Sequence, residues 1–180
     1  MAISWKVDMT IEFRVWPKIP RIENEKTFFT EKIDGTNACV IITAEGEFAC
    51  QSRKRLITPE DDNFGFARWA HEHKDELMTM GEGHHYGEWW GSKIGRCYDL
   101  EERRFSLFNT ARWNPDNPNL PECCNVVPII DAETIEEATE FLVTNGSQAA
   151  KGYMNVEGLV MFKYLTKSYY KIIINKPKGG

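Results

Sequence analysis

Hydrophobic and polar positions alternate with a period of two over most of this chain, the signature of half-buried strands. Residues 9–15 (MTIEFRV) alternate in this way, and Trp16-Pro17-Lys18-Ile19-Pro20 breaks the pattern. A strand ending at Glu31 and another over 38–43 flank the loop Glu31-Lys32-Ile33-Asp34-Gly35-Thr36-Asn37. Ala44-Glu45-Gly46-Glu47 reads as a hairpin turn into a strand over 48–52. The period then changes. Asp61-Asp62-Asn63 can cap a helix over 64–78, with Phe66, Ala70, His73 and Leu77 on one face. Strands are predicted again over 86–90 and 104–109, a Pro- and Asn-rich loop over 114–121, and a strand over 126–130. Thr134 with Glu137 forms a capping box for a second helix, striped by Ile135, Ala138 and Leu142 and ended at Gly146. Two last strands fall near 158–162 and 168–174. The pattern predicts an α+β chain in which antiparallel sheets dominate, with no internal repeat, low-complexity segment or linker.

The chain has 180 residues, which suits one domain with its own core. No apolar run approaches the 18 or so residues of a membrane span, and the N-terminus has no signal-peptide pattern. Five cysteines, an odd number without CxxC spacing, argue against a disulfide framework or a zinc site and fit a reducing cytoplasm. The histidine pairs 71/73 and 84/85 lack the spacing of a helical metal site. Net charge is −5, which argues against a protein that coats nucleic acid non-specifically. The charge is uneven, however. Residues 151–180 carry six lysines and one acid, Glu157, so a basic end sits on an acidic body and suits phosphate.

The candidate chemistry begins with Lys32. A lone lysine beside an acid and a glycine, at the mouth of a sheet, suits covalent catalysis once the amine is a free base. Gly35 permits a tight turn or a close approach. Arg53, Lys54 and Arg55 sit at a strand end, and the arginine fork suits phosphate. Glu88 stands among aromatics in Gly87-Glu88-Trp89-Trp90-Gly91, where a buried carboxylate needs a partner such as a ribose hydroxyl or a cation. Phe108 can stack on a base if it leaves the core. Glu157, before Gly158, can reach a metal or a ribose. Lys171 lies in an apolar strand and should point at an anion. Each residue alone also has an ordinary structural explanation, as a solvated end, a core ring, a turn acid or an edge-strand lysine.

Their order carries more. Lys-Ile-Asp-Gly-Thr-Asn, Ser-Arg, Tyr-Gly-Glu, a Phe-rich strand, Glu-Gly-Leu-Val and a basic strand follow one another over residues 16–178. This succession resembles the covalent nucleotidyltransferase superfamily of RNA ligases, DNA ligases and mRNA capping enzymes. Thr36-Asn37 is similar to the RNA ligase branch, since the other branches usually place an arginine at Asn37. Tyr86-Gly87-Glu88, with two bulky residues and Gly91 after it, is similar to nick-sealing RNA ligases.

The resemblance implies one nucleotidyltransferase domain, an ATP-grasp-like ligase fold of antiparallel sheets flanked by helices, without an OB-fold. It implies that Lys32 takes AMP from ATP, with Mg2+ or Mn2+ as the metal. Glu31 and Ile33 would flank adenine and Asn37 would hold the phosphate region. Arg53 would lie near phosphate or the polynucleotide end. Glu88 would bind ribose, Phe108 would stack on adenine, Glu157 would serve metal or ribose, and Lys171 would contact the α-phosphate. Burial and neighbouring cations would have to favour the free amine of Lys32, since lysine is ordinarily protonated at neutral pH. AMP would then pass to a 5′-phosphate end of RNA or another nicked polynucleotide.

The family's final motif usually spaces two lysines as Lys-x-Lys, whereas here the second position is Ile173. Lys167 or Lys176 would have to replace it. Relatives usually append a second domain, while this sequence ends soon after the motif. A minimal domain over 1–180 is therefore expected, and sealing would be weaker than self-adenylylation unless a partner protein supplies a second domain. The alternatives are an adenylyltransferase that stops short of joining and a nucleotide-binding module without chemistry.

Overall fold

The computed structural model describes residues 14, 15, 17, 18 and 26–175. Residues 9–13 of the first expected strand lie outside them, as do Lys176 and Lys178. The described residues form an α+β fold of two sheets and three α-helices, with a 3-10 turn at Cys97–Asp99. The strands are β1 (Thr27–Lys32), β2 (Thr36–Ile42), β3 (Phe48–Ser52), β4 (Leu56–Ile57), β5 (Gly83–Gly91), β6 (Arg103–Leu107), β7 (Cys124–Val126), β8 (Ile129–Ile130), β9 (Gly158–Lys163) and β10 (Ser168–Ile173). The helices are α1 (Phe66–Glu72), α2 (Lys74–Met78) and α3 (Ile135–Asn145). A smaller sheet has the order β10-β9-β1-β8, and a larger one the order β4-β3-β2-β5-β6-β7. Every named pairing is antiparallel except β6 with β7.

Alternation places the larger sheet's apolar side against α1 and α2. Ala38, Val40, Ile42, Trp89, Phe105 and Leu107 are buried there with Phe66, Ala70 and Leu77. The ring of Phe66 lies 5.5 Å from that of Trp89 and 5.0 Å from that of Phe105, spacings at which aromatic pairs attract. The smaller sheet buries Phe29, Leu159 and Met161 against Ala138 and Leu142 of α3. The capping box forms as expected. The Thr134 hydroxyl accepts from the Glu137 amide at 3.2 Å, while Glu137 Oε2 accepts from the Thr134 amide at 3.3 Å.

Two expected elements divide. The helix over 64–78 breaks at His73, whose φ of −104° and ψ of 19° lie outside the helical range. The strand over 126–130 also divides, because Pro128 has no N–H to give a ladder. Its first part pairs with β6 and its second with β1, so the chain crosses between the sheets at Val127-Pro128. The only other direct strand-to-strand crossing among the described residues is Ile33-Asp34-Gly35, which carries the chain from β1 into β2. A third cluster, of Ile33, Trp90, Tyr98, Val127 and Ala150, packs around both crossings. The lysine loop is therefore a joint between two sheets, not a hairpin turn.

Candidate active site

Two strand faces supply the site. In the smaller sheet the register Lys32↔Gly158 and Gly158↔Ile173 puts Lys32, Gly158 and Ile173 in one row. The adjacent row on the same face is Thr30, Val160 and Lys171. This is the side away from α3. A Cβ on Gly158 would lie 1.9 Å from the Ile172 carbonyl oxygen, so only glycine allows β9 and β10 to close beside Lys32. In the larger sheet Asn37, Glu88 and Ser106 form a row on the side away from α1. Phe108 follows β6 two residues after Ser106, and the alternation continues to that side. Its ring is 41% exposed and belongs to none of the three core clusters.

At the joint, Lys32 Nζ donates to Glu157 Oε2 across 2.7 Å, and both side chains are only partly exposed. Asn37 Nδ2 reaches Glu88 Oε2 at 3.4 Å. Burial pushes the Glu88 carboxyl up to about 7. The Lys32 charge opposes that shift, while Glu157 and Asp34 add to it. Glu88 thus senses Lys32, Glu157 and Asp34 together, so the two sheets bring these groups to one place. A Cβ on Gly35 would lie 2.5 Å from the Trp89 carbonyl oxygen and 2.7 Å from Trp90 Cβ. Gly35 therefore lets the lysine loop lie directly on β5, beside Glu88.

Glu31 and Ile33 turn elsewhere. The Glu31 carboxylate is buried and accepts from Ser147 Oγ at 2.6 Å, the Gln148 amide at 2.7 Å and the Ala149 amide at 3.0 Å. Burial still raises its pKa above the usual carboxylate range, against those three hydrogen bonds. It anchors the turn after α3 to β1. Ile33 is buried in the third cluster. Only the backbone of these two residues is left to line a site. Arg53 lies exposed beyond β3, and Lys171 is exposed on β10. Among the described residues no hydrogen bond or ion pair ties Arg53, Phe108 or Lys171 to the Lys32 cluster. Arg55, beside Arg53, is held by Asp61 Oδ2 at 2.5 Å.

Sequence reasoning missed the support behind Asp34. The Asp34 amide donates to Tyr98 Oη at 2.8 Å, and Arg96 Nε lies 3.3 Å from Asp34 Oδ2. The Arg96 side chain is 4% exposed, and its Nε makes the ion pair without a well-directed hydrogen bond. Its other arm donates to the Asn175 carbonyl, just beyond β10. Tyr98 packs between the rings of Trp90 and Tyr153, and three consecutive positive φ angles at Cys97, Tyr98 and Asp99 bring it there. Nothing local marks Arg96 or Tyr98, since both act across long chain separations.

Among the described residues no three His, Cys, Asp or Glu side chains form a metal cage. The hard carboxylates Glu157 and Glu88 still suit magnesium or manganese, because magnesium is commonly held by one or two carboxylates together with substrate phosphate. Neither of two surface clefts of about 600 and 640 Å³ is lined by Lys32, Glu88 or Glu157, although the second reaches Tyr98 and the turn at 148–150 behind the lysine loop.

Comparison with solved structures supports the same fold. An RNA ligase variant from Naegleria gruberi, determined with ATP and Mn, superposes with a TM-score of 0.58 at 21% identity over 84% of this chain. A second variant of that ligase with ATP and Mn gives a TM-score of 0.60 at 20% identity over 90% of this chain. The chain spans about half of each, 51% and 56%. No curated protein matches. The family model described as RNA ligase matches residues 25–168, most of the sequence and every motif up to the start of β10. The chain belongs to the RNA ligase family.

Proposed function

We propose that this chain is an ATP-dependent adenylyltransferase of the ligase type, which transfers AMP to itself at Lys32 and then to the 5′-phosphate of an RNA strand for sealing. The observation that carries this reading is the convergence at the joint between the sheets, where Lys32 meets Glu157 at 2.7 Å beside the buried Glu88. Lys32 Nζ attacks the α-phosphorus of ATP, the bond from that phosphorus to the bridging oxygen breaks, and pyrophosphate leaves. The amine reacts only as a free base. Glu157 is in hydrogen-bond contact with the amine and is placed to accept its proton.

Glu88 lies in the row where a ribose hydroxyl could bond its carboxylate, with Asn37 beside it. Phe108 offers an exposed ring for adenine, and Lys171 offers a cation on the Lys32 face for the α-phosphate. Arg53 faces solvent, where it suits a polynucleotide phosphate. Glu157, with Glu88 near it, would hold a magnesium or manganese ion, which when bound offsets charge gathering on the phosphate. The strand's 3′-hydroxyl displaces AMP in the last step.

The test incubates the protein with ATP labelled on its α-phosphate and a divalent cation, then adds a nicked duplex. Covalent label is expected on the parent and absent from Lys32→Ala, which keeps its fold because Lys32 belongs to no core cluster. Label that persists in Lys32→Ala would overturn the assignment. A labelled protein that never seals a nick would favour a stand-alone adenylyltransferase or one that needs a partner protein.

A further inference from the structure

The Lys32 face of the smaller sheet does not end at Lys171. The next row outward is Phe28, Phe162 and Tyr169, paired in register across the three strands. The ring of Phe162 lies 4.7 Å from that of Tyr169 and 5.1 Å from that of Tyr164. Tyr169 is 74% exposed and Tyr164 48%. Tyr169 on β10 and Tyr164 just past the end of β9 both adjoin the Phe162 ring, so the exposed rings form one contiguous aromatic patch rather than isolated surface residues. The cations are disposed to match. Lys26 Nζ sits 5.7 Å from the Tyr164 ring, Lys167 is exposed in the turn beside it, and Lys171 occupies the neighbouring row toward Lys32. From residue 158 to 175 the sequence holds three lysines and no acid, on a chain whose net charge is −5.

Exposed rings interleaved with lysines on one flat face suit unpaired nucleotides. Bases stack on the rings, and phosphates lie against the cations. The complementarity is to a polyanion that also carries free π faces, and single-stranded RNA repeats that pairing of phosphate and unstacked base at every nucleotide. We propose that Tyr169, with Tyr164 and Phe162, forms a stacking platform for a single-stranded RNA segment adjoining the end to be joined. The platform would lead that segment along the sheet face past Lys171 toward Lys32. This inference rests on the ligase reading for what happens at Lys32, but the RNA contact itself is separable from that chemistry.

The test compares the parent with Tyr169→Ala and Tyr169→Phe. Binding of a short 5′-phosphorylated single-stranded RNA and of a blunt RNA duplex is followed by fluorescence anisotropy, and self-adenylylation is measured on the same preparations. Tyr169→Ala should bind the single strand about fivefold to a hundredfold more weakly, the range that loss of one base-stacking ring covers. Duplex binding and self-adenylylation should stay at the parental level, and Tyr169→Phe should bind as the parent does. Its high exposure makes Tyr169 dispensable to folding, and an unchanged melting temperature would confirm that. Parental binding of the single strand by Tyr169→Ala would overturn the platform. So would an equal loss on duplex RNA, weak binding by Tyr169→Phe, or a matching loss of self-adenylylation. If the parent itself never self-adenylylates, the ligase reading fails, while the anisotropy comparison still decides the platform.

Discussion

Lys32 Nζ and Glu157 Oε2 stand 2.7 Å apart across 125 residues of sequence. One lies at the end of β1 and the other immediately before β9, and the Lys32↔Gly158 register brings them together. The partner of the lysine is therefore set by strand pairing, and the same pairing decides what each group can do to the other.

Glu157→Gln keeps the side chain's shape and removes its charge. Self-adenylylation should slow by about a hundredfold, the lower end of what positioned acid–base groups contribute. If Glu157 chiefly holds a cation, raising the manganese concentration should restore part of that loss. If it chiefly takes the proton, added manganese should leave the rate low. Labelling rates across a manganese series decide between the two. A variant as fast as the parent would remove Glu157 from the site.

Glu88 predicts a pH signature in stability. Burial holds its folded pKa at about 7, above the 4.5 of an ordinary glutamate. The folded state therefore binds more protons than the unfolded state between those values. Stability from this group is fully present below about 4.5 and is lost as pH rises through about 7. Glu88→Gln should stabilise the protein at pH 8 by up to roughly 3 kcal/mol and should flatten this slope. Glu31, also raised, slopes in the same direction, whereas the lowered pKa of buried His85 slopes oppositely below its ordinary value. The difference between parent and variant in urea melts at several pH values isolates Glu88. A constant difference from pH 5 to 8 would contradict the assignment.

Arg96 ties Asp34 of the lysine loop to the carbonyl of Asn175 beyond β10. Arg96→Met should cost about 1–3 kcal/mol. That is less than the 3–5 kcal/mol typical when one partner of a fully buried pair is removed, because Asp34 keeps 26% of its side-chain exposure. It should also slow self-adenylylation with little change in KM for ATP, since the loop shifts while nucleotide contacts remain. Combined with Asp34→Asn, the two losses should fall short of additive, because the residues act through one contact. Full additivity in denaturant melts and in rate would show that Arg96 does not work through Asp34.

Phe108→Ala separates a site ring from a core ring. With the ring 41% exposed and outside the core clusters, melting temperature should hold. KM for ATP should rise by a factor equivalent to roughly 1–3 kcal/mol of lost base stacking. The parent should prefer ATP to GTP in labelling. A lowered melting temperature with an unchanged KM would return Phe108 to the fold.

Much of this protein was legible in the order of its residues, because strand alternation, capping and turn chemistry are local. The capping box at Thr134 and Glu137, the strands around Lys32 and the dominance of antiparallel sheets follow from side-chain period and hydrogen bonds within a few residues. The succession of short motifs also identified the RNA ligase branch, because each motif is contiguous. The tertiary structure decided what local pattern cannot encode. It divided the 126–130 segment at Pro128 and sent its halves to different sheets. It made the lysine loop a joint between those sheets. It turned Glu31 into the buried anchor of the 147–149 turn and Ile33 into core, while adjacent Lys32 faced Glu157. It also recruited Arg96 and Tyr98 behind Asp34. These outcomes depend on register and on which faces pack together, and those are settled only when segments from about twenty to more than a hundred residues apart compete to bury the same apolar surface.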